Sequence, residues 1–217
     1  MLTFLKCWHF FSNNLFIFCK YISMIKINNL EKAYKNKTVL RIDELSFESG
    51  CLYLLCGANG AGKSTLVKSI LKIIDYYGDI KIDSKIIGYL PERFPEISYI
   101  STFTFLKCLK IDGNYQRIEE LAAYFDLDLK KSISSLSKGN LQKVMIIQAI
   151  MNNANIMIFD EPLNGLDLAN QKKFIDLLKS LKDENRCIII TTHYPSYYSS
   201  IGDKTIYLEQ GNIYESN

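Results

Sequence analysis

Residues 57–64 have the types and the spacing that bind a phosphate group, and they read Gly-Ala-Asn-Gly-Ala-Gly-Lys-Ser. Glycines allow successive backbone N–H groups to curl around phosphate oxygens, because no Cβ obstructs them. Lys63 adds a full positive charge, and Ser64 offers a hydroxyl ligand to Mg²⁺. The pattern predicts a nucleoside triphosphate site, whose phosphate-binding residues are Gly57, Asn59, Gly60, Ala61, Gly62, Lys63 and Ser64.

A pair of carboxylates, Asp160 and Glu161, follows the apolar run Ile-Met-Ile-Phe at residues 156–159. Such a run is typical of a buried parallel strand, and ligands bind at the carboxyl ends of such strands. Asp160 could hold Mg²⁺ opposite Ser64, and Glu161 could take a proton from an attacking water. The pair predicts hydrolysis of the bound triphosphate, although a strand can also end in acids that are merely solvated.

The elements that must position these residues lie on either side of the phosphate loop. Residues 51–56 predict a buried strand that leads into the loop, and residues 64–74 predict the helix that leaves it. The amino-terminal end of a helix carries partial positive charge, which favours a bound phosphate. The apolar residues expected on one face of this helix are Leu66, Val67, Ile70, Leu71, Ile73 and Ile74.

A second helix opens at residues 136–140, Leu-Ser-Lys-Gly-Asn, before the amphipathic stretch 141–151. Ser137 and Gly139 at such an opening could face another phosphate. One nucleotide does not need two helix amino termini to bind its phosphates, unless the second one serves a neighbouring subunit. Read alone, a Ser-x-Gly sequence usually only caps a helix, so this segment depends on the other motifs for its interpretation.

Together these motifs resemble the nucleotide-binding domain of ATP-binding-cassette (ABC) transporters, over residues 24 to about 212. The family's segments occur here in their usual order. They are the aromatic Tyr34, the phosphate loop, the signature segment 136–143, the acidic segment 160–167 and Thr-Thr-His at 191–193.

The resemblance implies a site for ATP and Mg²⁺ that is shared between two subunits. It implies that Tyr34 stacks on adenine and that Thr65 binds the nucleotide together with the phosphate loop. It also implies that Ser137 and Gly139 contact the phosphates bound by a partner subunit. The catalytic residues would be Glu161, His193 and Lys63, and the residues at the metal would be Ser64, Glu92 and Asp160.

Lys138, Asn140 and Glu92 depart from the family pattern. The first two replace a glycine and a glutamine of the signature segment. Glu92, in Tyr-Leu-Pro-Glu at residues 89–92, replaces the usual glutamine, and a carboxylate there can still coordinate Mg²⁺ or its water while adding negative charge. This form resembles bacterial export-type members. The alternative is a weakened sensor of the γ-phosphate.

The expected fold is α/β, with a P-loop NTPase core, a mostly parallel sheet flanked by helices, a small antiparallel part and a short helical insert. The ABC ATPase domain is expected at residues 24–217, with the insert at about 93–135. A short strand pair is expected at residues 78–82 and 85–89.

Residues 1–23 form an apolar extension rich in Phe, Leu, Ile and Cys, which such a domain does not need. Their apolar run is interrupted, and this fits a signal peptide poorly. Lys6 and Lys20 among the aromatic residues would suit an anchor at a membrane interface. An over-extended gene start is the simpler interpretation.

Composition narrows the class of protein. The 217 residues are 48% hydrophobic, enough for one sizeable core. A net charge of +3, from 26 basic and 23 acidic residues, argues against nucleic acid as a partner. The six cysteines include no Cys-x-x-Cys pair and are typical of reduced thiols in a cytosolic protein. No stretch reaches the roughly 18 apolar residues that cross a bilayer, so a channel would be another chain.

The predicted function is that of the ATP-hydrolysing subunit of an ABC transporter, which powers export through a separate transmembrane permease subunit. It would work as a homodimer or heterodimer of ATPase domains, in the cytoplasm and peripheral on the inner face of the cell membrane. The alternative is a soluble, non-transport ABC ATPase that acts on ribosomes or other macromolecules. The segment predicted to dock the permease, or else to form the core of the insert, contains Phe94, Ile97, Tyr99, Ile100 and Phe103.

Overall fold

The computed structural model describes residues 23–35, 37–94, 99–183 and 185–216. The predicted extension at residues 1–23 lies outside this part of the chain except for Ser23, and Ile97 of the aromatic segment also lies outside it. Within the described ranges, no helix is long and apolar enough to cross a membrane.

Two sheets organise the described chain. The small antiparallel sheet contains β1 (Ser23–Tyr34), β2 (Lys37–Glu48) and β4 (Tyr77–Ile82), in the order β2–β1–β4. The larger sheet contains β3 (Leu52–Cys56), β5 (Ile87–Leu90), β6 (Ile156–Asp160), β7 (Cys187–Thr192), β8 (Lys204–Glu209) and β9 (Asn212–Ser216). Its order is β5–β6–β7–β3–β8–β9, and all of its pairs are parallel except β8 with β9. The predicted α/β fold is confirmed.

Five α-helices cover this sheet in the described residues: α1 (Lys63–Ile70), α2 (Thr102–Leu109), α3 (Gln116–Tyr124), α4 (Lys138–Ile150) and α5 (Leu168–Leu181). One apolar cluster joins α1 and the antiparallel sheet to one face of the larger sheet. A second apolar cluster joins the helices α2, α3, α4 and α5 to the other face of the larger sheet. The short helices α2 and α3 lie within the predicted insert.

The central strands β3, β6 and β7 are buried along their whole length, because they are covered on both faces. Their parallel register places Cys56 beside Thr192 and Asp160 beside Thr191. The carboxyl ends of the three strands therefore coincide. The phosphate loop and His193 follow these ends, and the acidic pair begins at the last residue of β6, so the fold brings them together at one edge of the sheet.

Helix α1 ends earlier than the sequence predicts. Its last helical residue is Ile70, and Lys72 takes the left-handed conformation with φ of 56°. The N–H of Ile73 then donates to the carbonyl of Lys68 at 2.9 Å, which caps the helix. Ile73 lies beyond the end of the helix and is 60% exposed, so the predicted extension of the helix to residue 74 is wrong.

The short strand pair predicted at residues 78–82 and 85–89 is also wrong. Strand β4 pairs with β1, whereas β5 pairs with β6 in the other sheet. The two strands have different neighbours because the chain crosses from one sheet to the other between Ile82 and Ile87. Local pattern predicts that two strands exist, but it does not predict which strand each one joins.

Gly88 in β5 allows a close approach between the sheet and α4. A Cβ at this residue would lie 2.0 Å from the backbone carbonyl oxygen of Ala149, far inside contact distance. We expect Gly88→Ala to lower the free energy of unfolding by about 3 kcal/mol in a urea titration. In Gly202→Ala the new methyl would meet the movable side chain of Leu54 at 2.9 Å, so its loss should be well under half as large. Equal losses would contradict a backbone clash at Gly88.

Candidate nucleotide site

The phosphate loop connects β3 to α1 and is closed by its own lysine. The Lys63 Nζ donates to the carbonyl oxygens of Gly57 at 2.7 Å and Ala58 at 3.2 Å. Gly60 and Gly62 have φ of 81° and 111°, a region that favours glycine. Burial lowers the pKa of Lys63, while the nearby carboxylates of Glu161 and Asp160 oppose that shift. Lys63 therefore places a basic group at the start of α1.

A pocket of about 220 Å³ opens beside this loop. It brings together residues from the phosphate loop, from the ends of β6 and β7, and from the segment after β5. The residues that line it are Val39, Asn59, Gly60, Gly62, Lys63, Ser64, Thr65, Glu92, Asp160, Glu161 and His193.

Asp160 is the buried acid of the site, with 2% of its surface exposed. Thr191, its neighbour on β7, donates a short hydrogen bond to Asp160 Oδ1, and the Ser64 hydroxyl also hydrogen-bonds to this carboxylate. Burial raises the pKa of Asp160, whereas the bonds from Thr191 and Ser64 lower it. The register of β6 and β7 therefore sets the position of a carboxylate directly beside the Ser64 hydroxyl.

Glu161 follows in the left-handed conformation, with φ of 50°, which is uncommon for a residue other than glycine. Its backbone N–H donates to the Thr191 hydroxyl at 3.0 Å. Its Oε1 is buried and lies 3.1 Å from His193 Nε2, yet no group is aligned to donate a hydrogen bond to it. Burial raises the pKa of Glu161, and the nearby His193 and Lys63 lower it. A carboxylate oxygen without a donor and with a raised pKa is suited to accept a proton.

The donor set fits Mg²⁺ better than a metal bound by protein alone. No group of three or more His, Cys, Asp or Glu side chains in the described residues is placed to hold a metal ion. Mg²⁺ usually keeps several waters and binds one or two protein oxygens together with substrate phosphates. Ser64 and Asp160 offer such a pair of oxygens, and Glu92 lines the same pocket.

Several predicted residues lie outside the lining of the pocket. Tyr34 is 47% exposed at the end of β1, and the Lys32 ammonium lies 4.8 Å from the centroid of its ring. Ser137 is exposed and caps α4 by accepting the Asn140 N–H at 3.3 Å. Gly139 packs against the loop after β6, where a Cβ would meet the Gly165 carbonyl oxygen at 2.9 Å. The amino-terminal end of α4 therefore does not line the pocket of its own chain.

Sequence reasoning missed Val39. Lys32 pairs with Leu40 and Ala33 pairs with Thr38, so Val39 is an extra residue in β2 without a cross-strand partner. Such a bulge re-aims side chains, and Val39 lines the pocket. No signal in the hairpin sequence identifies this bulge. Sequence reasoning also missed the hydrogen bond from Thr191 to Asp160. The polar residues at the carboxyl ends of two predicted parallel strands could have indicated it.

Residues 40–164 match the family described as ABC transporter. An uncharacterized ABC transporter ATP-binding protein of Methanocaldococcus jannaschii is 37% identical over 201 residues, which cover 86% of this chain and 74% of that protein. The zinc import ATP-binding protein ZnuC of Rickettsia conorii is 33% identical over 178 residues, which cover 78% of this chain and 76% of that protein.

Two solved structures are also similar to this chain. The dimeric structure of the bacterial ABC transporter cassette MJ0796 has a TM-score of 0.81 and 25% identity, over 89% of this chain and 98% of that one. A post-hydrolysis state of that cassette, bound to ADP and Pi, has a TM-score of 0.80 over the same shares. The family match covers more than half of the sequence and includes the phosphate loop and the acidic pair. The chain belongs to the ABC transporter family.

Proposed function

We propose that this chain binds ATP in the pocket beside the phosphate loop and hydrolyses it to drive a separate transmembrane permease. The observation that carries the proposal is the convergence of Lys63, Ser64, Asp160, Glu161 and His193 from three separate segments on one pocket. Release of phosphate from Mg-ATP by the purified chain, alone and with its permease, tests it. No release in either case, with ATP bound, would contradict the proposed ATPase.

Each side chain has a distinct part in the proposed mechanism. Lys63 and the loop N–H groups bind the β- and γ-phosphates, and Ser64 and Asp160 would hold Mg²⁺ near them. The metal, when bound, would neutralise charge that develops on the phosphate oxygens. Glu161 accepts the proton of the attacking water through its oxygen that lacks a donor. His193, at 3.1 Å from that oxygen, orients the water and the γ-phosphate.

We infer that two ATPase domains act together, as a homodimer or a heterodimer. Ser137 is exposed and Gly139 is half-buried at the start of α4, and neither residue lines the pocket of its own chain. A second subunit could bring the same two residues to this pocket and bind the γ-phosphate there. The relative MJ0796 has been seen as a dimer, which supports this arrangement.

The base of the nucleotide is proposed to lie between Val39 and Tyr34. Val39 supplies an apolar wall to the pocket, and Tyr34 at the tip of the same hairpin has an exposed ring. We expect Tyr34→Ala to weaken ATP binding about tenfold, because it removes the aromatic face on which adenine stacks. Tyr34→Phe keeps that face and should bind ATP normally in a titration by calorimetry. Equal losses in the two variants would indicate that stacking is not involved.

The permease is proposed to dock on the segment after Glu92. Tyr99 is 90% exposed, whereas Phe94 and Phe103 are partly buried against the second apolar cluster, which lies between the larger sheet and the helices α2, α3, α4 and α5. The described part of this segment therefore contributes both to a core and to an exposed surface. Such docking would place the chain in the cytoplasm, peripheral on the inner face of the cell membrane.

Export is the proposed direction, and its support is the Tyr-Leu-Pro-Glu form at residues 89–92. The ZnuC relatives are named for zinc import, which favours the opposite direction. Vesicles that contain the chain and its permease, with ATP supplied only on the ATPase side, would decide between the two. Solute that accumulates on the side opposite the ATPase indicates export.

A further inference from the structure

The loop that leaves β6 carries Glu161, and it lies against the start of α4. This Glu161 loop comprises residues 161–167, between β6 and α5. A Cβ on Gly139 would meet the carbonyl oxygen of Gly165 at 2.9 Å, and a Cβ on Gly165 would lie 3.3 to 3.5 Å from side-chain atoms of Lys138. The loop and the helix are therefore closely packed where they meet.

One hydrogen bond joins this helix to the loop directly beside Glu161. The side-chain amide of Gln142 donates from Nε2 to the backbone carbonyl oxygen of Pro162 at 2.9 Å, in a partly buried position. Pro162 follows Glu161 in the sequence, and its ring fixes its φ angle. Because that rotation is fixed, the position of the Pro162 carbonyl is closely tied to the peptide group that follows Glu161.

A different element holds the other side of Glu161. Its backbone N–H donates to the hydroxyl of Thr191, on β7, at 3.0 Å. Its carbonyl oxygen accepts the N–H of Asn164 at 3.2 Å, which closes a turn within the loop. Strand β7 therefore fixes the amino side of Glu161, and α4 fixes its carboxyl side through Gln142.

Glu161 needs this restraint because its backbone is strained. Its φ of 50° lies in the left-handed region, which residues other than glycine adopt at an energetic cost. Such a conformation persists only where the surrounding structure holds it. Loss of the hydrogen bond to Pro162 would allow the backbone to relax. Rotation at Glu161 would then move its Oε1 away from His193 Nε2, which now lies 3.1 Å from it.

The packing of α4 does not account for the amide of Gln142. The helix is anchored by apolar side chains that are almost fully buried, and these are Val144, Met145, Ile146, Ile147 and Ile150. One hydrogen bond adds little to the anchoring of a helix with so much buried apolar surface. An apolar side chain of similar length would pack as well, so the amide requires another explanation.

We propose that Gln142 is a positioning residue for ATP hydrolysis, which holds the Pro162 carbonyl and thereby keeps Glu161 aimed at the attacking water. The inference rests on the proposed function, because it requires Glu161 to be the base. Gln142 does not line the pocket, so it acts through Pro162 and not by contact with ATP. It therefore affects the chemical step more than the binding of the nucleotide.

The test measures kcat and KM for ATP with the full chain, under the conditions in which the parent hydrolyses ATP. Gln142→Met keeps the length of the side chain but has no donor, and it should lower kcat about tenfold while KM stays within about twofold. Gln142→Lys supplies an ammonium donor of similar reach and should recover most of the lost rate.

A double-mutant cycle separates positioning from a general loss of structure. In the Glu161→Gln background there is no base to position, so Gln142→Met should not lower the residual rate of hydrolysis further. A loss by the same factor in both backgrounds would show that Gln142 acts independently of Glu161, and would overturn the inference.

Gln148 provides a matched control for Gln142. It lies on the same helix, it is also half-buried, and it does not line the pocket. Gln148→Met should leave kcat and KM unchanged. The melting temperatures of Gln142→Met and Gln148→Met should lie close to that of the parent, because neither substitution leaves a cavity or a buried charge.

Each remaining outcome has a definite meaning. An unchanged kcat in Gln142→Met, with Glu161→Gln inactive, would overturn this inference and leave the proposed function standing. A raised KM with an unchanged kcat, an unfolded Gln142→Met, or a Gln142→Lys that recovers none of the rate would also overturn it. Normal turnover by Glu161→Gln would instead remove Glu161 from the role of base, and this inference with it.

Discussion

Replacing Glu161 with glutamine should lower the rate of ATP hydrolysis about a hundredfold or more, while Mg-ATP still binds. Glutamine has nearly the same shape as glutamate but does not accept a proton at neutral pH. The Glu161 Oε1 is buried beside His193 at 3.1 Å, so the amide can occupy the same place without disturbing its neighbours. Single-turnover release of phosphate measures the step directly.

The control for this substitution is a glutamate that does not line the pocket. Glu44 has a side chain that is 72% exposed and pairs loosely with Lys26 at 3.9 Å. Glu44→Gln should leave both ATP binding and hydrolysis unchanged. Rapid turnover by Glu161→Gln would show that another group activates the water.

The same variant should also change the oligomeric state. In the proposed dimer uncleaved ATP would bridge two subunits, so Mg-ATP should shift Glu161→Gln from monomer to dimer on size exclusion, and ADP should not. Ser137→Arg in the same background should abolish the shift, since it places bulk at the exposed opening of α4. A dimer that persists with Ser137→Arg would contradict the proposed contact of Ser137 with phosphate.

Replacing Lys63 with methionine should weaken ATP binding about a hundredfold, because a charge-assisted contact with the phosphates is lost. Lys63 is 7% exposed and its Nζ donates to two carbonyl oxygens of its own loop, at 2.7 Å and 3.2 Å. Methionine fills the same volume without a buried charge, so the melting temperature of the free protein should fall little. Calorimetric titration with Mg-ATP measures the loss of affinity.

Lys68 provides the matched control for Lys63, since both lysines lie on α1 and Lys68 is exposed. Lys68→Met should retain full affinity for ATP. If Lys63→Met bound ATP as tightly as the parent, the loop N–H groups alone would account for phosphate binding. If it were grossly unfolded, the lysine would instead act mainly by closing the loop.

The chemistry of the site was largely predictable from short segments. The phosphate loop is defined by residues 57–64, and Asp160 and Glu161 are defined by the apolar strand before them. Both are local features, because each can be identified within one short stretch of sequence, without knowing which distant residues it contacts. The structure places most of these predicted residues around one pocket. The roles of the individual side chains remain predictions, which the variants above test.

Other features depended on contacts between distant parts of the chain. The segments at 78–82 and 85–89 both form strands, but they join different sheets, because pairing is decided by long-range neighbours. Ile73 belongs to an apolar pattern, yet it is exposed because α1 stops before it. The spacing of apolar residues does not indicate the residue at which a helix ends.

The sequence by itself thus determined the kinds of chemical group present, their order and the strands that carry them. Tertiary structure alone decided that Thr191 bonds to Asp160 and that the bulge at Val39 turns a side chain into the pocket. It also decided that Ser137 is exposed and does not line the pocket of its own chain. The physical reason is that strand register and the packing of helices on a sheet are set by contacts between residues far apart in sequence, which no local pattern encodes.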